Sequence, residues 1–163
     1  MEKNIQSYDE LCEELESNFK ELGYGYKKIN LDEDANYILS VSTEKSELES
    51  IRKLKTIDGL LIYVDVKYYS LNIIATNVYK INPERDINTY YKLVNDVNSN
   101  IDHGRFAIYE ERHAVLYRST IERGGESLKK KIENIVDEYL ENLEIFYICK
   151  KKMDEDEWTG KKK

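Results

Sequence analysis

The run Leu60-Leu61-Ile62-Tyr63-Val64-Asp65-Val66-Lys67-Tyr68-Tyr69 alternates along its length. Leu60, Ile62, Val64, Val66 and Tyr68 fall on one side, and Tyr63, Asp65, Lys67 and Tyr69 on the other. Successive side chains of a strand point to opposite faces of a sheet, so the first set is expected to pack on a core. Further β-rich runs surround this one: residues 24–29 and 37–41, joined as an antiparallel hairpin through the polar stretch Asp32-Glu33-Asp34-Ala35-Asn36, and residues 71–81. Arg105-Phe106-Ala107-Ile108-Tyr109 and Ala114-Val115-Leu116-Tyr117-Arg118, parted by Glu110-Glu111-Arg112-His113, read as a second hairpin with an exposed loop.

Three helices punctuate these strands. Ser7 with Glu10 three residues on fits a capping box, and Tyr8, Leu11, Cys12, Leu15, Phe19 and Leu22 then recur at helical spacing up to Gly23, a natural left-handed cap. Asn82-Pro83-Glu84-Arg85 reads as the start of a second helix, with Asn82 as N-cap and Pro83 in the first turn. Its inner face carries Ile87, Tyr90, Tyr91, Val94, Val97 and Ile101. After Gly124-Gly125, Leu128, Ile132, Ile135, Val136, Tyr139, Leu143, Phe146 and Tyr147 mark a third. In residues 46–57, Leu48, Ile51, Leu54 and Ile57 repeat every three residues, which suits neither a strand nor an α-helix; a loop with a short helix is expected. The fold class is therefore α+β: an antiparallel sheet of five to six strands packed with three helices. Residues 1–149 form one domain, and the charged residues 150–163 read as a disordered tail in which Trp158 either docks or moves freely.

Charge narrows the function. With 25 Lys and Arg against 32 Asp and Glu, the net charge of −7 opposes general binding to nucleic acid or to anionic membranes. Lys129-Lys130-Lys131 sits near Glu126 and Glu133 and reads as a solvated helix face. Apolar runs are strand-sized, with no signal-peptide or membrane-helix stretch, and Cys12 and Cys149 read as reduced thiols, so the cytoplasm is the expected location.

Catalytic and cofactor motifs fail one by one. His103 and His113 have no partner at helical spacing that would make a metal pair. The run from Asp32 begins like a calcium loop but has Tyr37 where glycine is needed and Thr43 where a bidentate glutamate is needed. Gly23 and Gly25, or Gly124-Gly125, do not build a phosphate-cradling turn. No catalytic residue, cofactor or metal ligand is assigned, and a non-enzymatic role is expected.

The stretch from Ile81-Asn82-Pro83-Glu84, through Val94-Asn95-Asp96-Val97-Asn98, His103-Gly104-Arg105-Phe106-Ala107-Ile108 and Ala114-Val115-Leu116-Tyr117-Arg118, into the last helix resembles the YbjN family, whose fold is like that of the type III secretion chaperones. The resemblance covers roughly residues 60–149. It implies a protein that holds or regulates a protein partner, often as a homodimer. Asn98, on the apolar side of its helix, is expected to bond the following turn and fix the start of the strand at Arg105.

Two functions from different classes follow. A chaperone-like or regulatory module would bind a protein or peptide along a sheet edge or an aromatic patch, with Tyr63, Tyr69 and Tyr109 as candidate contacts among the 14 tyrosines. Those tyrosines read equally well as ordinary amphipathic core residues. Alternatively, an acidic inhibitor or immunity-type protein would mask a basic site, steered by its charge. A small enzyme or ligand-binding domain stands third.

Overall fold

The computed structural model describes residues 7–29, 35–65, 70–122 and 126–161, apart from the side chains of Asp65, Glu122 and residues 157–161. The chain is α+β. Its elements run α1 (Tyr8–Leu22), β1 (Gly25–Ile29), β2 (Ala35–Ser42), α2 (Glu49–Arg52), β3 (Thr56–Asp65), β4 (Ser70–Lys80), α3 (Ile87–Asn98), β5 (Arg105–Tyr109), a 3-10 turn (Glu110–Arg112), β6 (Ala114–Glu122) and α4 (Leu128–Lys161). All six strands form one antiparallel sheet in the order β1-β2-β3-β4-β6-β5. The chain leaves β4 through α3, lays β5 at the far edge, and returns β6 into the space between.

Local chemistry accounts for the helix ends. The Ser7 hydroxyl accepts from the Glu10 amide at 3.2 Å, and Gly23 closes α1 at φ 78° with its N–H directed to the carbonyls of Lys20 and Phe19. In α2, Ile51 N–H reaches the Leu48 carbonyl and Leu54 N–H the Ile51 carbonyl, both three residues back. Beside them run four-residue bonds from Arg52 to Leu48 and from Lys53 to Glu49, and the three-residue repeat does not define one buried face: Ile51 is fully buried while Leu54 is exposed.

α3 starts four residues later than its sequence suggests. The Asn82 side chain accepts from the Glu84 amide at 3.0 Å and its carbonyl from the Arg85 amide, so residues 82–85 make a turn. The N-cap is Asp86, which accepts from the Asn88 amide at 3.1 Å. Asn82 therefore caps only this single turn, while its own N–H donates to the Tyr90 hydroxyl.

α4 also departs from expectation. It does not give way to a disordered tail at residue 150 but continues to Lys161, 34 residues in all and roughly 50 Å at 1.5 Å per residue. Composition hid the tertiary anchor. Asp154 pairs with Lys150 at 2.6 Å and with Arg85 at 3.0 Å, while the Lys150 ammonium lies 4.9 Å from the centre of the Tyr79 ring. Of the lysine cluster, Lys129 pairs with Glu21 and Lys130 with Glu133, but Lys131 is buried and does not belong to a solvated face. The polar hairpin stretch ends sooner than expected, since Ala35 and Asn36 already pair in β2. Asp32 to Asp34 and Gly124-Gly125 lie outside the described residues.

One side of the sheet meets α1, α3 and α4. Tyr37, Leu39, Leu60, Ile62, Ile73, Phe106, Val115 and Tyr117 are all essentially inaccessible there. Tyrosine is used heavily as a core residue with a polar tip. Tyr37 donates to Glu16, Tyr90 accepts from the Asn82 amide, and Tyr117 accepts from Asn142 at 3.0 Å. Burial pushes the Tyr117 hydroxyl up to about 12, against its hydrogen bond from Asn142. Asn142 also donates to the His103 carbonyl at 2.8 Å, tying α4 to the turn before β5. At that turn Gly104 has φ 78°, and a Cβ added there would overlap the Tyr117 hydroxyl and ring.

Candidate functional site

Strand periodicity sets the second face of the sheet. Each of three central strands carries two adjacent aliphatic residues: Ile38-Leu39 in β2, Leu60-Leu61 in β3 and Ile73-Ile74 in β4. Because neighbours in a strand face opposite ways, one of each pair enters the core and the other turns away from it. Leu39, Leu60 and Ile73 are inaccessible, whereas Ile38, Leu61 and Ile74 are half-buried. The side-chain bonds and ring contacts that tie strands to α1 and α4 come from the core side: Tyr37 to α1, and Ser119, Tyr117 and Phe106 to α4. Among the described residues no helix covers the other side.

Register lines this open face up into rows. Lys27 pairs with Ile38, Ile38 with Leu61, Leu61 with Ile74, Ile74 with Arg118, and Arg118 with Arg105. An aliphatic centre is thus bounded by one cation at the β1 edge and two at the β5 edge, and Lys27, Arg105 and Arg118 are all exposed. The next row, Ile29, Asn36, Tyr63, Asn72 and Thr120, is largely polar. Thr120 donates to Asn72 at 2.6 Å within it. On the opposite flank Ser40 donates to Asp58 at 2.5 Å.

The sheet edges differ. At β5 the Asn98 side chain of α3 donates to the Phe106 carbonyl and accepts from the Phe106 amide, both at 2.9 Å. One side-chain amide thereby makes the two bonds that a neighbouring strand would make; Asn98 fixes the start of β5 as expected, but through Phe106 of the strand and not through the preceding turn. α3 lies beside it, leaving a shallow groove of about 570 Å³ that includes Tyr91, Val94 and Ala107. This edge is blocked at Phe106 against strand addition. The outer edge of β1 pairs with no described strand.

The candidate tyrosines do not form one patch. Tyr63 sits in the polar row of the open face, level with Thr120 of β6; Tyr109 is level with Ala114 of the same strand. Six residues along β6 separate those levels, roughly 20 Å. Tyr109 is exposed at the end of β5, with the Arg112 guanidinium 5.8 Å from its ring centre. Tyr69 lies outside the described residues. The aliphatic doublets of β2, β3 and β4 mark these positions in the sequence, but their alignment into one row depends on register.

Another cleft, of about 760 Å³, lies between α3 and the end of α4. Lys92, Lys152, Asp86, Asp96 and Asp156 line it together with Cys149. Burial, helped by Asp96, pushes that thiol up, which keeps it protonated and a poor nucleophile. Both cysteines are free. Among the described residues no group of three or more His, Cys, Asp or Glu side chains is placed to hold a metal, and no helix is long and apolar enough to cross a membrane. No family model, curated protein or solved structure matches the chain.

Proposed function

We infer that this chain is a non-enzymatic, chaperone-like or regulatory module that binds a protein partner through the open face of its sheet. The observation that carries this reading is the row Ile38, Leu61 and Ile74: three aliphatic side chains aligned across three strands on a face that no described helix covers. Antiparallel sheets commonly turn one face to water, and that face is then polar; aliphatic residues at its centre fit contact with another surface. The element order, helix then strands then helix then two strands then helix, is consistent with the resemblance to the YbjN family and the chaperone fold. The acidic-inhibitor reading draws no support from this face, because its exposed charges at both ends of the row are cationic.

Affinity capture from the native cell with wild type and with Ile74→Asp tests the proposal. Leu54→Asp, an exposed leucine beyond α2, serves as the control. The same protein should be retained by wild type and Leu54→Asp and lost with Ile74→Asp, while circular dichroism shows all three folded. Equal retention by all three would remove the open face from the function.

A further inference from the structure

We propose that the partner presents a surface with an apolar centre and carboxylates around it, one of which is gripped by Arg105 and Arg118 together. This rests on the open face being the binding surface and adds the chemistry of what binds there. Arg105 and Arg118 stand directly opposite each other on β5 and β6. Like charges directly across an antiparallel pair destabilise it, and no described acidic side chain is paired with either one. A carboxylate placed between two guanidinium groups removes that repulsion and accepts charge-assisted hydrogen bonds from both.

A second copy of this chain with its row laid along the first is a poor occupant. Two identical sheets packed face to face about a two-fold axis have only two ways to superpose this row on itself. If the axis runs along the strands, Lys27 of one copy meets the arginines of the other. If it runs along the row, Lys27 meets Lys27 and each arginine meets its own counterpart. Cation faces cation either way, and like-charge juxtaposition selects against such a pairing. An acidic partner meets the same three cations favourably. Lys27 and Arg118 are four strand steps apart, about 19 Å, a span that about six residues of extended peptide would bridge.

The test uses three ten-residue peptides with the same Leu, Ile and Phe centre, flanked six residues apart by Glu, by Gln or by Lys. Each is titrated into the full ¹⁵N-labelled chain. The Glu-flanked peptide should shift the amide signals of Ile38, Leu61, Ile74, Arg105 and Arg118. It should bind about tenfold more tightly than the Gln-flanked peptide and lose that advantage at high salt or on Arg105→Gln with Arg118→Gln. The Lys-flanked peptide should bind most weakly. If Glu- and Gln-flanked peptides bind this face equally, the open face stands as the binding surface and the acidic partner is overturned. If none binds there, or signals elsewhere move, both readings fall. A single-stranded oligonucleotide that shifts the same signals more tightly than the Glu-flanked peptide would also overturn the proposal, as would light scattering that finds a dimer dissociated by Leu61→Asp.

Discussion

Replacing Asn98 tests whether a single side chain closes the β5 edge. In Asn98→Ala the Phe106 amide and carbonyl lose both of their 2.9 Å partners. Each net hydrogen bond contributes about 1 kcal/mol, so the expected loss is about 2 kcal/mol. For a chain of this size that lowers the melting temperature by about 4–8 °C. Asn98→Asp separates the two bonds. A carboxylate can still accept from the Phe106 amide, but its second oxygen confronts the Phe106 carbonyl, and only the protonated acid can donate to it. Folding should therefore raise the pKa of this introduced carboxyl. A group raised in the folded state contributes stability that is fully present below its unfolded pKa and is lost as pH rises through the folded value. The deficit of Asn98→Asp relative to wild type should thus be larger at pH 7 than at pH 4.5, whereas that of Asn98→Ala should be the same at both. Urea unfolding followed by circular dichroism measures all three. Deficits under about 0.5 kcal/mol, or an Asp variant indistinguishable from Ala at both pH values, would refute the strand-mimic account.

Gly104→Ala combines a left-handed backbone with overlap on Tyr117 and should cost about 3 kcal/mol or more. Gly59→Ala, at φ 74° with open space around it, should cost only about 1–2 kcal/mol by the same unfolding assay. At Asp154 burial acts upward, but hydrogen bonds from Lys150 and Arg85 outweigh it and hold the carboxyl below its ordinary value. A depressed carboxyl stabilises the fold above its unfolded pKa and loses that contribution as pH falls through the folded value. The end of α4 should therefore loosen only in strong acid, seen as hydrogen exchange at residues 150–156, while Asp154→Asn should be loose already at pH 7.

Much of this architecture can be read locally. The Ser7 cap, the Gly23 stop and the alternation of β3 act through neighbours a few residues away, so they are visible in sequence and appear in the structure. The start of α3 is harder to place because Asn82 and Asp86 both accept from the amide two residues on, and only the structure shows that the first of them caps a single turn. The helical end of α4 was hidden for a similar reason: Arg85 lies 69 residues from Asp154 in the chain. Asn98 was legible because its partner Phe106 is eight residues away. The open-face row was not, because Lys27, Ile38, Leu61, Ile74, Arg118 and Arg105 become neighbours only through strand order and register.

The claim that the open face carries the function is tested most directly by site-specific photo-crosslinking in the native cell. A photoreactive residue at position 61, at the centre of the aliphatic row, should yield one discrete adduct with a protein partner. The same residue at position 54 or at position 109 should yield none of that adduct. An adduct of equal yield from position 54 or 109, with nothing from position 61, would contradict the account.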